Sequence, residues 1–297
     1  MVLNVVSEVD EVLNIFQVKE KKHESFITRA VASLYYQLRI LFEYRMAIAI
    51  DIIDITISVL IYYFVSFLIS KQALSSLGYS PDYLAFAVLG ISLSRYLWSS
   101  ISRLAHKLSH EISEGTLESL VVADVDNLKS WLVGQIMYGF SWSSFWFVGA
   151  IIIGMILGAG ISTNLLAWFQ AIFVLLLTIV VHSGIGVIAA GMYIKHKELE
   201  TMLFFLSVAM EFLGGVLYPI SLLYNIAPLY YISLSLPFTH GLELFRRTLM
   251  DELPLLHPKM IFHMVFLIAF LPLVYLGFKV FNKYLEIAKK EGILAAY

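Results

Sequence analysis

The sequence predicts an all-α integral membrane protein. It has six transmembrane helices, an N-terminal amphipathic interfacial helix, and short re-entrant outer half-helices between helices 5 and 6. Three observations predict this. The chain is 60% hydrophobic and only 14% charged, whereas soluble domains carry roughly 25% charged residues. The shortfall is spread over most of the length, so one anchor on a soluble domain does not explain it. Six apolar runs reach the roughly 20 residues that a helix needs to cross about 30 Å of hydrocarbon. Helix is the expected form because backbone groups in lipid must pair within their own segment.

Residues 1–26 form an acidic extension in which Val2, Val5, Val6, Val9, Leu13 and Phe16 recur at helical spacing. It holds no continuous apolar core, so no secretory signal is expected. Residues 27–45 place Val31, Leu34, Tyr35, Leu38 and Leu41 on one helical face with Arg29 and Arg39 off it. A basic amphipathic helix with aromatics suits the membrane interface; a packed cytosolic helix is the alternative. The transmembrane domain covers 46–281, with spans at 47–69, 83–101, 131–157, 165–194, 202–223 and 260–281. A cytoplasmic tail takes up 282–297. The loop 103–130 reads as helix, break, short helix, break. Gly115 supplies the first break because glycine is costly inside a helix. Thr116 can cap the short helix after it, and Leu117, Leu120 and Val121 give that helix a small apolar face. Asp124 and Asp126 are cap-type residues ahead of helix 3. Between 214 and 247 the chain is apolar but interrupted by Gly214, Gly215, Pro219, Asn225, Pro228, Pro237 and Gly241. Half-helices covered by protein fit that region better than a seventh span.

Orientation follows from Lys and Arg. The N-terminal region, the loops after helices 2 and 4, and the tail counted from Lys279 hold 6, 3, 2 and 4 of them, 15 in all. The other side holds Lys71, Arg246, Arg247 and Lys259, while Arg95 lies inside helix 2. Both termini are therefore expected in the cytoplasm of a multi-pass cell-membrane protein. A net charge of −2 gives no field that would attract nucleic acid. With no cysteine, disulfides, thiolate catalysis and Cys-based metal sites are excluded.

Two patches carry a resemblance. The loop after helix 2 reads Glu111-Ile-Ser-Glu114-Gly115-Thr116-Leu117-Glu118-Ser-Leu120. About 100 residues later come Gly214-Gly215-Val-Leu-Tyr218-Pro219-Ile and Leu236-Pro237-Phe-Thr239-His-Gly-Leu-Glu-Leu-Phe-Arg246. In this order relative to six spans, they resemble the type-2 permeases of ATP-binding-cassette (ABC) transporters. The likeness runs from about Ile27 to the tail and leaves out the acidic extension. It implies an exporter's membrane subunit, in which Thr116 to Val122 would be the coupling helix that docks into an ATPase. Glu111, Glu114, Gly115, Thr116, Leu117, Glu118 and Leu120 would then make the ATPase contact. The ATPase would be a separate subunit, holding ATP and Mg and binding two permeases, either a homodimer or a heterodimer with a paralogue. Helices 2 and 5 would face the partner permease and the conduit. The sequence agrees on one point: it contains no Gly-Lys dipeptide, so no phosphate-cradling P-loop is present. No cofactor is expected on this chain and no enzymatic activity of its own.

Candidate conduit and gate residues are Phe145, His182, Glu211, Gly214, Gly215, Tyr218 and Pro219. Glu211 falls near mid-membrane, where an ionisable group is a functional candidate by default. It can line the conduit, pair with Arg95 or His182, or be protonated and hydrogen-bonded. His182 is as readily a satisfied core residue. Arg95 is read as snorkelling to the cytoplasmic side, and Asp51 and Asp54 as boundary residues. His106 and His110 have a metal-compatible spacing, but no other histidines pair up to complete a cluster. Gly154 and Gly158 form a GxxxG that suits close helix packing. The Ser141–Trp146 run offers hydroxyls and indoles to an amphipathic substrate or to packing. The spans are rich in Phe and Tyr, which points to an apolar or amphipathic cargo such as a drug, lipid or glycan-like molecule. Two other classes compete. A lipid-modifying membrane enzyme needs convergent His, Asp or Ser at one depth, and none stands out. An ion-coupled carrier needs several paired charges at the midplane.

Overall fold

A computed structural model describes residues 25–117, 119, 125–196 and 199–292. The extension at 1–24, Glu118, Leu120–Asp124, 197–198 and the last five residues lie outside the described residues. The described residues are helical, and no strand occurs among them.

Helix α1, Phe26–Glu43, starts where the Ser25 hydroxyl accepts the Thr28 amide, an N-cap at 3.2 Å. After a break at Tyr44, α2 runs from Arg45 to Ser66. A six-residue helix α3, Lys71–Ser76, and a turn at Gly78 lead to α4, Tyr83–Trp98. The Asp82 carboxylate caps α4 on the Ala85 amide at 2.9 Å. A π-helical stretch, Ser99–Arg103, joins α4 to α5, Leu104–Ser113. Helix α6 spans Val125–Ile156, and α7 spans Leu165–Lys195 behind an Asn164 cap. Helix α8, Leu199–Leu213, is followed by a 3-10 turn, Ile220–Asn225, then α9, Ala227–Leu234, and α10, Pro237–Met250. Helices α11, Pro258–Ala269, and α12, Pro272–Glu291, come last.

Five of these stretches are long and apolar enough to cross a membrane: Arg45–Ser66, Tyr83–Ser113, Leu128–Ile156, Leu165–Lys195 and Pro258–Glu291. The sequence-based boundaries need three corrections. Span 2 does not stop at Ile101 but continues through the π stretch to Ser113. The helix expected at 202–223 ends at Leu213, because Gly215 turns to φ +75° and the chain cannot stay helical, and its 15 residues leave it out of the five candidate spans. Span 6 is interrupted ahead of Pro272, which cannot donate the hydrogen bond a continuous helix requires.

Helix α4 is the central post, buried at every position from Leu84 to Ser94. Helices α7 and α12 pack backbone to backbone. A β-carbon on Gly184 would lie 2.7 Å from the Leu273 carbonyl carbon, and one on Gly277 would lie 2.6 Å from the Gly184 oxygen. Small residues allow this approach, and the gain is dispersion contact between helices that lipid alone would not drive together. Helix α1 lies along α6, with Ala30 buried and Ile27, Val31, Tyr35, Tyr36 and Phe42 exposed. Of the apolar face read from the sequence, Val31 and Tyr35 are exposed, while Leu34, Leu38 and Leu41 are half-buried beside Ala30 and Ser33. Of the GxxxG pair, Gly154 meets Val88 of α4, while Gly158 lies past the helix end at φ +94°.

The two ends of the bundle differ. At one end are α1, the Ser113 end of α5, and the paired ends of α7 and α12, tied by Lys195 to Glu291 at 3.0 Å. At the other, the 3-10 turn with α9 and α10 forms a lid. Helix α10 is buried almost throughout, against α7, α4 and α11.

Candidate functional site

The site builds on five elements, α2, α4, the π stretch, α6 and α8, that open a groove along one flank of the bundle. Arg95 projects from α4, and its Nη2 donates to Asp54 Oδ2 of α2 at 2.8 Å. The Trp146 indole of α6 donates Nε1–H to the same carboxylate oxygen at 3.2 Å, and its ring lies under the guanidinium at 4.0 Å. One turn further along, Trp98 donates its Nε1–H to Glu211 Oε2 of α8 at 2.7 Å. Ser102 of the π stretch and Ser207 of α8 share a hydrogen bond at 2.8 Å.

These groups line two adjoining cavities of about 400 Å³ each, which share Arg95, Trp98 and Trp146. The first reaches towards Asp51, Arg103, His106, Trp142 and Phe204. The second is lined also by Ser58, Tyr62, Ser94 and Glu211. The π stretch contributes Ser99, Ser102 and Arg103 to the first. Such bulges alter side-chain direction within an otherwise regular helix and concentrate at functional sites.

Depth gives the groove its chemical meaning. Arg95 lies 12 residues beyond Tyr83, about 18 Å along the helix. Asp54 lies 9 residues beyond Arg45, about 14 Å from the opposite end. Both are far from either end of their spans, yet their side chains are 39% and 48% exposed. Where such a stretch crosses hydrocarbon, an ion pair this open is costly. The groove therefore calls for a wet interior or a covering partner.

Several assignments made from the sequence change. Arg95 is paired with a carboxylate. Asp54 is that partner, and Asp51 lines the first cavity. Glu211 is bonded to Trp98, and neither Arg95 nor His182 is its partner. Phe145 points away from Glu211. It stacks on Trp142 and lines a separate, apolar cavity between α2 and α6. His182 is fully buried, with Nδ1 at 2.7 Å from the Thr178 carbonyl oxygen and its ring edge-on to Phe238. It lines neither groove cavity.

At the lid end, Gly214 and Gly215 end α8 just beyond Glu211, and the turn is held by Arg246. That residue is 2% exposed. Its Nε donates to the Phe86 carbonyl at 3.1 Å, Nη1 to Gly215 at 2.7 Å, and Nη2 to Val216. Tyr218 donates its hydroxyl to the Phe212 carbonyl at 2.6 Å, and Pro219 leads the 3-10 turn. A second network stitches the lid to the loop before α4. Tyr79 donates to Glu243 Oε2 at 2.7 Å, and Arg247 donates to Glu243 Oε1 at 2.6 Å and to the Gly78 carbonyl at 3.1 Å. Burial beside the Glu243 carboxylate pushes the Tyr79 phenol up, which keeps its proton in place to donate.

At the other end, α5 stops at Ser113 and Gly115 takes φ +70°. Thr116 folds back to donate to both the backbone and the carboxylate of Glu111, which also meets Lys107 at 3.4 Å. Glu114 is exposed. Leu117 is completely buried among Leu104, Leu108, Leu128 and Leu285, so it does not belong to a projecting apolar face. Glu118 and Leu120 fall outside the described residues. Among the described residues, no three His, Asp or Glu side chains converge as a metal site, so His106 and His110 gain no further ligand.

The sequence reading missed the Asp54–Arg95–Trp146 cluster as a unit. The available signal was depth: counting inward from opposite ends of two antiparallel spans puts both charges at one level. A search against protein families and a search of curated proteins find no match for this chain.

Proposed function

We propose that this chain is the membrane subunit of an ATP-driven exporter of the ABC type-2 class, driven by a separate ATPase and moving an amphipathic substrate outward. The observation that supports it is the charged groove, open on one flank partway along the candidate spans. A second permease, either another copy or a paralogue, covers it and turns two grooves into one conduit. Closed symmetric pairing of this kind matches identical patches against each other.

In this reading the α1 end is cytoplasmic, as the basic residues favour, and α1 lies at the interface with its exposed aromatics in lipid. The chain crosses six times. Helix α8 makes the fifth crossing only as far as Leu213, and the lid fills the outer leaflet beyond it. Glu211 and the Gly214–Pro219 turn stand where conduit meets lid and form the gate. Closure of the paired ATPases pushes on the loop around Glu111–Leu120 and switches access between two packed arrangements.

The test is a gentle detergent pull-down of the full chain from native membranes. A P-loop ATPase recovered in equal copies is the expected result, with recovery reduced by Gly115→Val, which forces a β-branched residue into positive φ. A stable chain that purifies with no ATPase would overturn the proposal in favour of a lipid enzyme or a carrier.

A further inference from the structure

The cavity beside Glu211 is unevenly charged. Arg95, the cation on its wall, is already engaged by Asp54 and the Trp146 ring. Glu211 receives the Trp98 indole proton on one of its two oxygens. An occupant is left with one carboxylate, the Trp98 and Tyr62 rings, and the hydroxyls of Ser58 and Ser94. A carboxylate in a poorly solvated stratum is stabilised by an opposite charge far more than it would be in water. Indole and phenol faces attract cations through their ring quadrupoles. An anion here would meet negative charge, and a neutral molecule would leave that charge unmatched.

We propose that this cavity binds the positively charged group of an amphipathic organic cation, with Glu211 as its counter-ion and the Trp98 and Tyr62 rings against its body. This deepens the export reading and rests on the groove being the substrate conduit. The cavity volume of about 400 Å³ falls within the range of small-molecule sites. The apolar remainder of such a cation has the adjoining cavity, with Trp142 and Phe204, to enter.

The experiment uses two probes of nearly the same shape and opposite charge, tetraphenylphosphonium and tetraphenylborate. Equilibrium binding is measured on the purified full chain in lipid nanodiscs, with empty nanodiscs subtracted. Tetraphenylphosphonium should bind at least ten-fold more tightly than tetraphenylborate. Glu211→Gln, whose amide oxygen still accepts from Trp98, should weaken tetraphenylphosphonium at least ten-fold and leave tetraphenylborate unchanged. Glu211→Asp should restore most of the cation affinity. Equal binding of the two probes, or cation binding indifferent to Glu211→Gln, would overturn the proposal. The measurement needs no ATPase. Cation selectivity in a chain that has no ATPase partner would leave the site standing and sink the exporter reading, while anion preference in a chain that has one would do the reverse.

Discussion

Arg246→Met is expected to give the largest loss of stability of any single substitution outside the helix seams. Methionine approaches the length of the side chain but donates nothing. The Gly215 and Val216 carbonyls lie in a turn, where arginine is their hydrogen-bond donor. Each buried carbonyl left without a donor costs about 1–3 kcal/mol, so the pair costs roughly 2–6 kcal/mol together. The planar fork of five donors explains why arginine stands here. Arg246→Lys keeps the charge but cannot reach three carbonyls in one plane, so it should fall between. Thermal unfolding in detergent, followed by intrinsic tryptophan fluorescence, checks the order: wild type, then lysine, then methionine. An Arg246→Met variant as stable as wild type would mean the lid is held otherwise.

Asp54→Ala should come second. It strips Arg95 of its carboxylate partner and leaves the Trp146 indole without that acceptor. A lone guanidinium at this depth is worse than none, so Asp54→Ala should unfold several degrees below Arg95→Met. The double variant should recover much of that loss, because it removes both charges together. This non-additivity distinguishes a true pair from two independent polar groups. Additive effects would show that water or lipid headgroups already satisfy each charge separately.

The elements set by hydrophobic length were legible in the sequence. The starts of α4 and α7 follow from their apolar runs, and the end of α5 follows from Gly115. The features that escaped were set by tertiary contacts. The π stretch at Ser99–Arg103 has no signal in its residue types. Its neighbours across the bundle include Gly139 and Gly186, which leave room for the Ser99 and Ser100 groups. The early end of α8 was visible as Gly214-Gly215, yet apolar residues through Leu223 made a longer span equally plausible by hydropathy. At the site, Glu211 stood out because a carboxylate in an apolar run needs a reason. Its actual partner, Trp98, did not, because an indole in a span looks like packing. Phe145 and His182 were chosen by type and depth, and depth alone does not say which flank a side chain faces. Leu117 shows the converse. Its apolar character marked a projecting face, but Leu117 itself is turned into the bundle.

The export proposal turns on a second permease covering the groove. The chain contains no cysteine, so single cysteines can be placed at Ser58, Ser94 and Ser102 along the groove, and at Ile156 and Leu165 away from it. Cross-linking in native membranes with a short bis-maleimide reads the partner directly. A covered groove predicts a product of about twice the chain's mass from one or more groove positions, containing a second copy or a paralogous permease, and none from Ile156 or Leu165. Groove cysteines that stay monomeric while reacting freely with a lipid-soluble maleimide would contradict it.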